Sequence, residues 1–155
     1  AAAPPLVIAG RGPQRPEVEA AIRAGRGGGA IRYLGFREDV PAILSAADVL
    51  VMPSRWEGFG LAAVEAMLAG VAVIGTDVAG LREVLDSGRA GLLVPPDNAD
   101  ALARAIACLA ADSARRQRLA EAGRRRAAAK YDIGACIAAH ERLYERILRR
   151  EPQFR

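Results

Sequence analysis

Val49-Leu50-Val51-Met52-Pro53, followed by Glu57-Gly58-Phe59-Gly60-Leu61-Ala62-Ala63-Val64-Glu65, decides how this chain folds. Four consecutive apolar residues closed by a proline predict a short buried strand, and Gly60 onward predicts an apolar helix. In an open α/β sheet, ligands sit at the turn where a strand's carboxyl end gives way to a helix. The first turn of a helix has free backbone N–H groups and a partial positive charge, which suits phosphate. Gly58 and Gly60 lack side chains, so a ligand can approach the backbone between them. Glu57 and Glu65 stand eight positions apart on either side of this turn. Leu61 to Gly70 reads apolar nearly all round with Glu65 as its only charge, so a buried helix is expected. A carboxylate buried there needs donors. Neighbouring backbone, an arginine or a ribose diol are the alternatives. Glu65 lies about 6 Å along the helix axis from Leu61, within reach of the cleft mouth.

Outward from this stretch, apolar runs alternate with helical stretches. Strands are expected at 6–9, 31–34, 49–52, 71–74 and 92–94, and helices at 16–24, 40–46, 60–69, 81–85, 99–111, 114–129 and 133–149. This alternation predicts βαβ units in one Rossmann-like, three-layer α/β domain with a mostly parallel sheet. Residues 1–5 read as a linker or cut-site scar, 6–150 as the domain and 151–155 as a tail. Asp97-Asn98 and Asp112-Ser113 supply N-cap chemistry to two late helices. Gly27-Gly28-Gly29 precedes a strand instead of following one, so it reads as a flexible loop.

The 155 residues, 52% hydrophobic and 26% charged, suit one soluble globular domain. No run approaches the roughly 20 apolar residues of a membrane span. The opening Ala1-Ala2-Ala3-Pro4-Pro5 lacks the basic and apolar regions of a signal peptide. Cys108 and Cys136 lack metal-ligand spacing and are expected as free buried thiols, which favours a reducing compartment. The net charge is +4 and arginine makes up 21 of the 22 basic residues. Arg115, Arg116, Arg118, Arg124, Arg125 and Arg126 read as a solvated helical face. Nucleic-acid binding is the alternative, but no aromatic residues interleave with these arginines. Anionic lipid headgroups are a third candidate partner. His140, the only histidine, has no nucleophile or metal partner evident around it in sequence. Trp56 is expected to pack, with shielding of the cleft as the alternative.

Gly10-Arg11-Gly12-Pro13 follows the first expected strand but lacks the third glycine of a dinucleotide fingerprint. A tight structural turn is one reading of it.

Pro53 to Leu61, with Val64-Glu65-Ala66-Met67 and Gly70, resembles the signature of the retaining GT-B glycosyltransferases of group 1, glycosyltransferase family 4. Leu6 to Pro13, Tyr33-Leu34-Gly35-Phe36, Ala47-Asp48-Val49 and Gly91 to Pro96 match further motifs of that family in order and spacing. The resemblance implies the C-terminal, donor-binding half of a GT-B fold. It implies a nucleotide-sugar donor carrying UDP, GDP or ADP, and transfer with retention of configuration. Glu57 would then hold the transferred sugar as the catalytic residue. Gly58, Phe59, Gly60 and Leu61 would line the donor site, and Glu65 would clamp the ribose. Gly10, Gly12, Phe36 and Arg37 are candidate nucleotide contacts, with the turn at Gly10 lining the donor side of the cleft. No metal or other cofactor is implied. The family usually has two glycines where Ala79-Gly80 stands, which counts against close ligand approach there, and Glu83 is expected to brace the fold.

The family's diphosphate-binding segment and acceptor-binding N-terminal domain have no match in these residues. The expectation is therefore a piece of a longer enzyme, inactive alone, in the cytoplasm or at the inner face of the membrane with peripheral contact through the full-length protein. Two other classes remain open: a non-catalytic nucleotide-binding or regulatory module, and an arginine-rich nucleic-acid binder.

Overall fold

The computed structural model describes residues 4–25 and 29–149. Gly27 and Gly28 of the expected glycine loop, and most of the expected linker and tail, lie outside these residues. The chain divides into two compact units, one running to Ile43 and the other starting at Leu44.

In the first unit, β1 (Leu6–Ala9) pairs in parallel with β2 (Ile31–Gly35), with α1 (Arg15–Arg23) between them in sequence. Pro16 opens α1 where a missing N–H costs nothing, and Arg23 closes it where a cation suits the helix dipole. The register runs Leu6 to Ile31 and Ile8 to Tyr33, then slips so that Ala9 faces Gly35. Gly35 takes φ +69° at that slip, a conformation glycine adopts without Cβ strain. Leu6 and Val7 of β1 are 40% and 47% exposed.

The second unit carries the core. After α2 (Val40–Ser45), which spans the unit boundary, β3 (Val49–Met52), β4 (Ala72–Thr76) and β5 (Leu92–Val94) form a parallel sheet in that order. β3 pairs with β4 from Val49 opposite Ala72 to Met52 opposite Gly75, and β4 pairs with β5 from Ile74 opposite Leu92. All five residues of the central strand β4 are buried, as expected for a parallel strand covered on both faces. Around it pack α3 (Leu61–Leu68), α4 (Ala79–Val84), α5 (Ala99–Ala111) and α6 (Ser113–Lys130). Ile74, Val94 and Leu109 anchor one core cluster, and Met67, Leu81 and Leu85 are fully buried as well.

Several details follow directly from residue chemistry. The Asn98 side chain accepts from the Ala101 N–H at 2.9 Å and Asp112 from the Arg115 N–H at 2.8 Å, the expected caps of α5 and α6. Asp97 instead takes φ +55° and accepts from Arg55 at 2.6 Å. Gly123, inside α6, lets that helix press on α3: a Cβ there would stand 3.1 Å from the Ala90 carbonyl and 3.2 Å from Met67 Cγ. The last helix, α7 (Ile133–Arg149), begins on Asp132, which accepts from the Ala135 N–H at 3.0 Å. No described helix is long and apolar enough to cross a membrane.

Within the two units the strands pair in parallel throughout, β1 with β2 and β3 with β4 and β5, as expected of a parallel sheet. Of the arginine-rich face, Arg115, Arg118, Arg124 and Arg125 are exposed as expected, but Arg116 and Arg126 are not. Arg116 donates to the Leu109 carbonyl at 2.7 Å and sits 3.5 Å from Asp48, while Arg126 donates to the Val84 and Glu83 carbonyls at 2.9 and 2.6 Å. Both side chains are little more than one-fifth exposed, so they serve as brackets between elements. The two cysteines are free, but Cys136 is exposed and Cys108 only half-buried, contrary to the expectation of buried thiols. Cys136 also stands one helical turn before His140, with its Sγ 3.7 Å from Nδ1, so the histidine does have a thiol beside it.

Candidate functional site

The turn from Glu57 to Gly60 is held at the carboxyl end of β3 by three devices. The first is Thr76, the one buried polar side chain among the described residues. It ends β4, and its hydroxyl donates to the Ser54 carbonyl, with a longer approach to the Met52 carbonyl at 3.5 Å. The chain leaving β3 is thereby fixed to the end of the neighbouring strand.

The second device is Gly80, near the start of α4. Its N–H donates to the Glu57 carbonyl at 3.2 Å. A Cβ at this position would lie 2.6 Å from that carbonyl oxygen and 2.9 Å from Phe59 N. Glycine is required here because the turn's own backbone occupies the space a side chain would fill. The close approach at Ala79-Gly80 is therefore made by protein.

Gly60 is the third. It caps α3 at φ +97°, ψ +50°, in the left-handed region. A Cβ there would meet Leu81 Cδ2 at 2.9 Å. Its carbonyl accepts from the Ala63 and Val64 N–H groups at 2.9 and 3.2 Å. Among the described residues, the N–H groups of Phe59, Gly60 and Leu61 donate to no backbone carbonyl. Three donors thus gather at the N-terminus of α3, where the helix dipole adds positive potential.

Glu57 is half-buried beside this turn, with Cγ 3.6 Å from where a Cβ on Gly60 would stand. Glu65 is exposed, which overturns the expectation of a carboxylate buried in an apolar helix. α3 buries Ala63, Val64, Ala66 and Met67, and turns Leu61, Glu65 and Leu68 outward on one stripe at helical spacing. Leu61 is 62% exposed and Trp56 83%, so the expectation that Trp56 packs is also overturned. Neither glutamate's side-chain carboxylate forms an ion pair or hydrogen bond with another described residue.

The arginines nearest in sequence are engaged. Arg55 bonds Asp97 at 2.6 Å and Arg82 bonds Asp77 at 2.7 Å. The Arg82 hydrogen bond holds the Asp77 carboxyl below its usual range, against a smaller opposing effect of burial. Glu83 braces the fold as expected, accepting from Lys130 at 3.0 Å.

The other four candidates lie in the first unit. Gly10 takes φ +140°, and its N–H donates to the Gly35 carbonyl at 2.8 Å. Its own carbonyl accepts from the Tyr33 hydroxyl at 2.8 Å. Arg11 lies over the Phe36 ring at 4.7 Å from its centre, so the turns after β1 and β2 meet through a cation–π contact. Gly12 has open space around it. Arg37 is engaged in a two-point bond to Asp39 at 2.7 and 2.6 Å.

Sequence reading missed Thr76 and the role of Gly80. The signal for Thr76 was present, a hydroxyl ending an otherwise apolar strand. For Gly80 the glycine was visible, but not what would press against it.

A parallel strand, a glycine turn and a helix that starts at that turn define an α/β domain of the Rossmann-like kind. Residues 2–112 match the family described as glycosyl transferases group 1. The alpha-D-kanosaminyltransferase of Streptomyces kanamyceticus is 34% identical over 132 residues, 84% of this chain and 34% of that protein. Sucrose-phosphate synthase from Thermosynechococcus elongatus superposes with a TM-score of 0.82 at 35% identity, over 92% of this chain and 38% of that one. The Anabaena protein HepE, solved in complex with UDP-glucose, superposes with a TM-score of 0.78 at 26% identity, over 92% of this chain and 40% of that one. This chain belongs to the group 1 glycosyltransferases, with the Rossmann-like architecture of the C-terminal half of a GT-B fold. It spans well under half the length of these relatives.

Proposed function

We propose that this chain is the donor-binding part of a retaining glycosyltransferase. It would take a sugar from a nucleoside diphosphate carrier of the UDP, GDP or ADP class and pass it to an acceptor held elsewhere in a longer protein. The observation that carries this reading is the set of three unbonded N–H groups at Phe59, Gly60 and Leu61, flanked by two unpaired glutamates. These amides and the α3 dipole would offset the charge developing on the diphosphate as the sugar departs, with no metal required. Glu57, on the turn itself, would accept hydrogen bonds from hydroxyls of the transferred sugar. Glu65, one turn into α3, would accept from the two ribose hydroxyls. The UDP-glucose complex of HepE supports a nucleotide-sugar ligand for a fold of this kind.

Calorimetric titration with UDP and UDP-glucose tests the assignment. Glu65→Gln should weaken both ligands alike, by roughly 1.5 kcal/mol, the lower end for charged hydrogen bonds because the site is open to solvent. Glu57→Gln should leave UDP nearly unchanged, since UDP brings no sugar, and weaken UDP-glucose. Equal losses for UDP in both variants would refute the division of roles.

A further inference from the structure

The Glu57–Gly60 turn is held from a second direction that neither the motif nor the proposed reaction includes. The Phe59 ring meets the ring of Tyr131 edge-on, with centres 5.3 Å apart and planes at 87°. This is a favourable geometry for two aromatic quadrupoles. Tyr131 is the C-cap of α6. Its hydroxyl oxygen is buried and has no hydrogen-bond partner among the described residues. A buried unpaired hydroxyl is costly, so the ring's packing must be what keeps this side chain in place.

The segment that presents Tyr131 is itself tied down. Lys130 lies over the Tyr131 ring at 5.4 Å and bonds Glu83 of α4 at 3.0 Å. One turn earlier, Arg126 donates to the Glu83 and Val84 carbonyls at the end of α4 and sits 3.1 Å from Asp86. α4 in turn holds the same turn through the Gly80 N–H. The end of α6 and the start of α4 therefore grip the turn together, one on a side chain and the other on the backbone.

We propose that Tyr131 is a positioning residue for the donor site: its ring fixes Phe59, and through Phe59 it fixes the N–H groups that face the ligand. The site it positions rests on the reading above, but the contact can be tested without any ligand. The Gly80 N–H, bonded to the Glu57 carbonyl, reports whether the turn is held, and its hydrogen exchange can be followed by NMR in the full 155-residue chain.

Tyr131→Leu should speed Gly80 exchange roughly two- to tenfold, the range set by one aromatic pair, while amides in the middle of β4 keep their rates. Tyr131→Phe, which keeps the ring and removes the unpaired hydroxyl, should retain the parent rate. Phe59→Leu breaks the same contact from the exposed side and should match Tyr131→Leu, with the double variant no worse than either alone. Unchanged Gly80 exchange in both leucine variants overturns the proposal, as does Tyr131→Phe behaving like Tyr131→Leu. A second titration, with UDP-glucose, should show Tyr131→Leu losing affinity by a similar factor and Tyr131→Phe keeping it. If exchange responds as stated but the parent chain binds no UDP-glucose, the positioning role stands and the donor-site reading falls.

Discussion

Two turns in this molecule have nearly the same letters and different physics. After β1 comes Gly10-Arg11-Gly12, and after β3 comes Gly58-Phe59-Gly60. In the first, a Cβ on either glycine would meet nothing within 4 Å. Gly10 is there for its φ of +140°, and Gly12 shows no such requirement. In the second, Gly60 combines φ +97° with a neighbour at 2.9 Å, and Gly80 admits the turn's backbone at 2.6 Å from where its own Cβ would lie. One turn is shaped by conformation alone. The other is shaped by conformation and close packing, and it carries the free N–H groups. A glycine in a motif therefore means little until its surroundings are known.

The contrast can be broken or sharpened by substitution, with thermal denaturation as the common measurement. Gly80→Ala should have the largest effect. Its Cβ would strike backbone, which cannot swing aside, so about 3 kcal/mol should be lost. A loss below about 1 kcal/mol would mean that α4 can move off the turn. Thr76→Val should cost about 1–2 kcal/mol, because the Ser54 carbonyl loses its donor. Gly10→Ala should cost about 1 kcal/mol, from backbone strain with no clash. Gly12→Ala should be neutral or slightly stabilising, because the unfolded chain loses freedom and the folded one loses nothing.

The smallest expected effect is one the two regions share. Asp39 and Asp77 are each held below the usual carboxylate range by a hydrogen bond from an arginine, Arg37 and Arg82 respectively. A carboxyl with a lowered folded value contributes stability that is present above its unfolded value and lost as pH falls through the folded one. Both side chains are well exposed, so acid titration followed by carboxyl NMR should reveal the lowered midpoints more readily than denaturation does. A midpoint at or above the ordinary value for either residue would contradict the pairing.

Much of the fold was legible in the sequence because short apolar runs and cap residues are local signals. β1, β3 and β5 occupy the expected residues, and Asn98 and Asp112 cap the expected helices. The glycine turn itself was equally legible. Glu65 was misread because α3 places alanines on both its faces, so apolar composition did not reveal which side was covered. Trp56 was misread because its size suggested packing, although the chain carries it outward. How the strands group into sheets depends on pairings that no single run encodes. Arg116 and Arg126 looked like solvated charge because their acceptors are main-chain carbonyls, which have no signature in sequence.

The contact between Phe59 and Tyr131 also sets an order of events during synthesis. The two rings are 72 residues apart along the chain (131 − 59). At roughly 5–20 residues added per second, the second ring leaves the ribosome about 4–14 s after the first. Through that interval the strand, the glycine turn and α3 can already be in place without one of their two grips. The part of the molecule most recognisable in sequence is thus among the last to be finished in space.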